Sequence, residues 1–304
     1  MLPPSKPDPF KHRLQACATL MEKSLDDWLD RGGDGEGVPE RLTAAMRHAV
    51  LGGGKRLRPF LVLESARLCG VEDEAALNVA AALECVHCYS LVHDDLPAMD
   101  DDDLRRGRPT VHKAFDEATA ILAGDTLLTL AFEILADPAT HPDPAVRTAL
   151  ALGLARASGG AGMAGGQMLD LEAPGQKLGE AEILRLQSMK TGALIRFSCE
   201  AGAILAQTNE SRRRALLEYG RALGLAFQLA DDLLDVEGDA ALVGKAVAKD
   251  SEAGKATLVS LIGVDEARNR LGEMVAAARD ALALFGEDAA TLIAAAHFVA
   301  ERKH

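Results

Sequence analysis

Aromatic side chains are scarce in this chain, with one Trp, two Tyr and eight Phe among 304 residues. β-Branched residues are thin as well, while Ala, Leu, Glu and Arg abound, a bias that favours helix over strand almost throughout. Net positive charge is absent. Lys and Arg total 33 against 46 Asp and Glu, and the resulting charge of −13 argues against a protein that grips nucleic acid through a general basic surface. No uninterrupted apolar run approaches the roughly 20 residues that cross a bilayer, so no membrane span is expected. The first ten residues carry no apolar signal core, which predicts no export by that route. Five cysteines, odd in number and scattered, do not look like a disulfide framework. A cytoplasmic location is the expectation.

What is present describes a folded chain: 48% hydrophobic and 26% charged residues exclude a disordered one. Strand-type alternation is never sustained, and no Asn-Gly or Asp-Gly hairpin lies between β-branched runs. The expected fold class is therefore all-α. Helical periodicity covers 11–29, 40–51, 72–95, 116–136, 145–158, 180–207, 211–235, 264–285 and 288–302, and another helix opens near Pro59. Breaks fall at Arg31–Pro39, Gly52–Gly54, His141–Pro144 and Ala173–Lys177. With no linker and no fixed repeat, residues 1–304 are expected to form a single-domain helical bundle, with 1–10 frayed at its start.

Two acidic clusters interrupt the apolar pattern. Residues 94–103 carry six carboxylates in ten positions: Asp94, Asp95, Asp100, Asp101, Asp102 and Asp103. In the second cluster Gln228, Asp231, Asp232 and Asp235 fall at i, i+3, i+4 and i+7, one stripe on a helix. Solvated faces account for most charge runs, and the first cluster fits that account as well as a functional one. The second is harder to explain that way, because it cuts a very apolar segment and Asp is a mediocre helix-interior residue. Short carboxylates on fixed helices suit Mg²⁺, which takes oxygen ligands and commonly shares them with substrate phosphates. Two such clusters would hold a phosphorylated substrate. An EF-hand is excluded, since its alternating ligands, central Gly and twelfth-position Glu are missing.

Cations gather at Lys55, Arg56 and Arg58 directly after Gly52–Gly54. The glycines would let the backbone approach an anion, or else they end a helix whose next side chains snorkel. Neither a P-loop spacing nor a preceding strand is present. Arg105, Arg106 and Arg108 follow the first acidic cluster, either neutralising it or serving a diphosphate. Further candidates are Lys190 and Thr191 inside an apolar helix, and Lys245. His87 lies seven residues before Asp94 and on the same side of the helix; taken alone, it reads better as a core or surface histidine without a role. Cys85 and Cys88 have no second Cys/His pair with structural zinc spacing.

These blocks, in this order, resemble the trans-isoprenyl diphosphate synthase family over nearly the whole chain. Asp94-Asp95-x4-Asp100 matches the longer first aspartate-rich motif and Asp231-Asp232-x2-Asp235 the second. Glu84–Asp95 and Leu104–Thr110 look like the bacterial short-chain branch. The resemblance implies an all-α bundle of about ten or more helices around a deep central cavity, usually homodimeric, and three Mg²⁺ ions. Asp94, Asp100 and Asp231 would ligate the metal, with Asp95, Asp232 and Asp235 assisting. Arg105, Lys190 and Lys245 would grip the allylic diphosphate (dimethylallyl or geranyl), and Lys55, Arg58, His87 and Arg106 isopentenyl diphosphate. Thr191 and Gln228 would supply dipoles to an allylic cation, and Gln167 and Asp170 would support the site. Lys245 is followed by Ala246-Val247-Ala248, where the family often has Thr-x-Gly, a departure that bears on loop closure.

Side chains a helical turn or more before the first Asp form the cavity floor in this family. Tyr89, five residues before Asp94 and about 7.5 Å along a helix, resembles synthases that stop at fifteen carbons, with the small Ser90 beside it. The expected product is farnesyl diphosphate, and the nearest rival activity is a geranylgeranyl diphosphate synthase. A class I terpene cyclase shares the metal logic but needs no second diphosphate site, and a silent partner subunit would not need both acidic motifs intact.

Overall fold

A computed structural model describes residues 8–31, 37–241 and 257–301. They are almost wholly helical, as the composition requires, and they divide into two compact units, residues 1–151 and 152–304.

The first unit is organised on α4 (Asp73–Asp94), whose neighbours are α1 (Pro9–Arg31), α2 (Glu40–Val50), α3 (Leu57–Leu68) and α6 (Glu117–Ala136). Ala76, Val79, Ala80, Ala81, Ala82, Leu83 and Val86 are completely buried, and the run of small residues lets neighbouring helices come close. Asp73 and Glu74 in the first turn of α4 complement its dipole. Asp116 caps α6 by accepting the Thr119 amide at 2.7 Å. α3 starts differently: Arg56 takes a left-handed conformation (φ 48°), which turns its side chain inward. There it pairs with Glu84 of α4 at 2.5 Å and donates to the Val50 carbonyl at the end of α2, only 3% exposed. Arg56 therefore ties three helices together and is no part of a surface cation cluster.

The sequence reading missed a small hairpin. β1 (Leu104–Arg105) and β2 (Arg108–Pro109) pair antiparallel through Leu104 opposite Pro109 and Arg105 opposite Arg108. Arg106 (φ 54°) and Gly107 (φ 75°) both take positive φ, the two-residue turn whose twist suits a hairpin. Arg-Gly here occupies the position where Asn-Gly was sought. A four-residue α5 (Val111–Ala114) leads on to α6.

α7 (Pro144–Ser158) carries the boundary into the second unit. This unit contains α8 (Met163–Glu172), α9 (Glu180–Gln187), a π-helical segment (Ser188–Gly192), α10 (Ala193–Leu205), α11 (Glu210–Ala241), α12 (Leu258–Ile262), α13 (Val264–Ala281) and, after a 3₁₀ stretch, α14 (Ala290–Glu301). The helix expected over 180–207 is thus continuous but carries a wider turn, and α8 was not anticipated. Close approach explains both. A Cβ at Gly166 of α8 would lie 2.1 Å from the Lys190 nitrogen, and one at Gly224 of α11 would lie 3.1 Å from the Gly192 Cα. The π segment is seated on glycine from two sides. Tyr219, fully buried in α11, donates to the Leu292 carbonyl of α14 at 2.7 Å.

Among the described residues, three helices could cross a membrane by length and composition: α4, α6 and residues 283–301. The expectation of no such segment was framed on uninterrupted runs, and these windows tolerate isolated polar residues. In α4, 61% of that window is buried within the protein, so its apolar character has a packing cause. All five cysteines are free thiols, as expected.

Candidate active site

In the first unit the acidic motif is the fold-back that ends α4. The amides of Asp100 and Asp102 donate to the carbonyls of Asp94 (2.8 Å) and Asp95 (3.2 Å), which satisfies last-turn acceptors and brings Asp100 beside Asp94. The neighbouring carboxylates then part company. Asp94 is half-buried and Asp100 exposed, whereas Asp95 is turned in beneath Arg105, which holds it through Nη2 at 2.5 Å and Nε at 2.7 Å. Burial raises the Asp95 pKa, and the hydrogen bond from Arg105 works against that rise. Asp102 and Asp103 shape the loop: Thr110 donates to the Asp102 carbonyl, and Lys113 pairs with the Asp103 carboxylate at 2.8 Å. Asp101 takes a left-handed conformation (φ 49°) at the bend.

The glycine run meets cations, not an anion. Arg106 donates to the Gly53 carbonyl, and a Cβ on Gly54 would lie 2.7 Å from the Arg106 Cζ. Arg105, Arg106 and Arg108 line a small cavity of about 40 Å³ with Asp95, His48 and Cys88. His87 lies under Arg58, with Nη1 3.4 Å from its Nε2. Burial first, then the charges of Arg58, Arg106, Arg56 and Arg105, hold the His87 pKa well below the ordinary histidine value. It is a neutral imidazole among guanidiniums. Lys55 is exposed and Arg58 half-buried. Tyr89 stacks edge-on against His93 with ring centroids 5.8 Å apart, and Ser90 donates to the His87 carbonyl.

In the second unit a cavity of about 240 Å³ is lined by Lys190, Thr191, Gln228, Asp231, Asp235 and Asp170, among others. Lys190 is drawn from the π segment onto the Asp170 carboxylate of α8 at 2.6 Å. The four-residue polar stripe splits, because Asp232 is only 6% exposed. It accepts Gln187 Nε2 at 2.9 Å and the Leu258 amide at 3.3 Å, tying α11 to α9 and to the start of α12. Its pKa is pushed up to about 6, chiefly by burial, with the two hydrogen bonds opposing. The amide of Gln167 is buried with neither polar atom hydrogen-bonded. Lys245 and the Ala246-Val247-Ala248 departure lie outside the described residues.

Residues 39–285 match the polyprenyl synthetase family pattern. The chain belongs to the polyprenyl synthetase family. It is 43% identical over 302 residues to the farnesyl diphosphate synthase of Escherichia coli (strain K12), covering 96% of this chain and 99% of that one. Against the heterodimeric geranylgeranyl pyrophosphate synthase large subunit 1, chloroplastic, of Arabidopsis thaliana, identity is 41% over 94% of this chain and 78% of the relative. Among solved structures, an FPP/GFPP synthase from Zymomonas mobilis in its apo form superposes with a TM-score of 0.84 at 45% identity, covering 96% of this chain and 98% of that one. The chain is an enzyme, a prenyltransferase.

For a polyprenyl synthetase the donor chemistry matters. Among the described residues no group of three or more His, Cys, Asp or Glu is placed to hold a metal ion. The carboxylates nearest the open surfaces, Asp94 with Asp100 and Asp231 with Asp235, offer hard oxygen donors in small sets. That fits an ion such as Mg²⁺, which keeps water and takes phosphate oxygens. Sequence reasoning missed Gln187, which lines the second cavity and holds Asp232. Nothing in the sequence singled it out, because Arg185, Ser188 and Lys190 make its surroundings polar.

Proposed function

We propose that the chain condenses isopentenyl diphosphate with dimethylallyl and then geranyl diphosphate, giving (2E,6E)-farnesyl diphosphate and diphosphate. The observation that carries this reading is the second-unit cavity, where Lys190, Thr191 and Gln228 share one lining with Asp231 and Asp235. A lysine beside paired short carboxylates suits a diphosphate that arrives with divalent cations, and the neighbouring amide and hydroxyl suit a cation formed next to it.

Asp94, Asp100, Asp231 and Asp235 would hold Mg²⁺, three ions on this reading. When bound, the metal supplies positive charge to the departing diphosphate and lowers the barrier to ionisation. Arg105, Lys190 and Lys245 bind the allylic diphosphate and orient its C–O bond. Asp95 keeps Arg105 presented, and Asp170 does the same for Lys190. Lys55, Arg58 and Arg106 bind isopentenyl diphosphate, and His87, held neutral, offers a hydrogen bond without adding charge. The allylic C–O bond breaks, and the isopentenyl double bond then forms the new C–C bond. Thr191 and Gln228 direct dipoles at the cation. The last proton leaves with the released diphosphate, so no side-chain base is assigned. Tyr89 closes the floor at fifteen carbons. The enzyme is taken to work as a homodimer in the cytoplasm, with residues 1–304 as one catalytic domain.

A geranylgeranyl diphosphate synthase is the second reading, favoured by the small Ser90 beside Tyr89 and by the plant relative. Incubation of purified protein with Mg²⁺, isopentenyl diphosphate and dimethylallyl diphosphate, followed by chromatography, tests both. A C15 diphosphate is expected. A C20 main product supports the second reading, a cyclic hydrocarbon indicates a cyclase, and no product indicates a silent subunit.

A further inference from the structure

Gly124 sits in the middle of α6, where glycine costs about 1 kcal/mol relative to alanine. Its φ is ordinary, so backbone conformation does not require it. A side chain does. A Cβ at Gly124 would lie 2.1 Å from His93 Nε2 and 2.5 Å from its Cδ2. The imidazole abuts bare helix backbone by its Nε2 edge, and Nε2 donates to the Ile121 carbonyl at 3.1 Å. His93 also meets the Tyr89 ring, at 5.8 Å between centroids and 79° between planes. Tyr89 and His93 are four residues apart on α4 and so lie on one face of it. Backbone of α6, imidazole and phenol ring are thus in continuous contact.

We propose that Gly124 and His93 are specificity-determining residues that set product length through Tyr89. The bare backbone at Gly124 seats the His93 imidazole, and the imidazole holds the Tyr89 ring across the floor that stops the growing chain. The inference rests on the reading of Tyr89 as that floor and deepens it. An imidazole displaced by even one methyl group leaves the phenol ring free to swing aside, and the cavity lengthens without any change in the floor residue itself. Neither residue touches substrate in this scheme; both act by positioning Tyr89.

The test measures the C20:C15 product ratio for Gly124→Ala, His93→Ala, Tyr89→Ala and the double variants with Tyr89→Ala. Pocket changes of this size shift such ratios by roughly tenfold or more. Gly124→Ala and His93→Ala are each expected to raise the ratio in the native background and to add nothing once Tyr89 is Ala. If Tyr89→Ala lengthens products while the other two leave the ratio unchanged, or if they still lengthen products without Tyr89, the inference is overturned and the floor reading survives. If Tyr89→Ala itself changes nothing, the floor reading falls and takes the inference with it. A readout independent of catalysis uses the chain's two tyrosines, Tyr89 and Tyr219. In ring-labelled tyrosine spectra of Gly124→Ala, the Tyr89 signal should move and that of the buried Tyr219 should stay. A stationary Tyr89 signal refutes this chain of contacts even if one of the variants folds poorly or turns over slowly.

Discussion

Arg105 grips Asp95 with two nitrogens, Nη2 at 2.5 Å and Nε at 2.7 Å, and leaves the carboxylate only 3% exposed. Adjacent aspartates of one motif therefore do different work, Asp94 facing outward and Asp95 holding a guanidinium in place. Asp95→Ala removes the main partner of a guanidinium that is one-third exposed and has Asp102 at 3.8 Å as its remaining anion, and is expected to cost about 1.5 kcal/mol in urea unfolding. Asp95→Asn, which keeps an acceptor, should cost less. Arg105→Lys cannot reproduce the two-nitrogen contact and should raise KM for the allylic substrate more than for isopentenyl diphosphate.

The glycine loop yields a sharper contrast. Gly53 (φ 78°) and Gly54 (φ 119°) both occupy backbone that L residues avoid, but a Cβ at Gly53 meets nothing within 4 Å. Gly53→Ala should carry only backbone strain, about 1 kcal/mol of stability. Gly54→Ala adds a collision with the Arg106 guanidinium. KM for isopentenyl diphosphate is expected to rise roughly tenfold in Gly54→Ala, equivalent to about 1.4 kcal/mol of binding, and to change little in Gly53→Ala. Equal effects would show that the loop merely needs flexible backbone.

These residues also mark how far the sequence could be read. The long helices followed from periodicity, and α4 emerged at 73–94 against an expected 72–95 because its acidic start and Pro97 bracket it. Grouping Lys55, Arg56 and Arg58 as one cation cluster failed, since a single left-handed residue sends Arg56 into the core, and no spacing rule reports φ. The Asp231/Asp232/Asp235 stripe was correct in helical geometry. What spacing could not show was that Gln187, distant in sequence, takes Asp232 out of it. The π segment was invisible for a similar reason, because it depends on glycines in two other helices.

That dependence can be tested at Gly166. A Cβ there would meet the Lys190 nitrogen at 2.1 Å and its Cα at 2.6 Å, backbone atoms that cannot rotate away. Gly166→Ala should force α8 off the π segment and break the Lys190–Asp170 contact, with a loss of about 2 kcal/mol or more in stability and a fall in kcat. Gly160→Ala, where a Cβ meets nothing within 4 Å, is the matched control and should leave both intact.

Asp116 offers a pH-dependent test away from the acidic motifs. It caps α6 through the Thr119 amide and pairs with Arg41 at 2.6 Å. The backbone hydrogen bond from Thr119, then Arg41 among the lesser causes, lowers its pKa from 3.8 to about 2. A carboxylate with a depressed folded-state pKa binds fewer protons folded than unfolded in this window. Its contribution to stability is therefore complete above about pH 4 and disappears as the pH falls toward 2. Asp116→Asn still accepts the Thr119 amide but cannot take up a proton, so its unfolding midpoint should decline less than that of the native protein between pH 4 and pH 2. Asp116→Ala loses the cap at every pH and should have a lower midpoint already at neutrality. Parallel acid profiles for the native and Asn proteins would mean that the carboxylate's charge adds nothing to the cap.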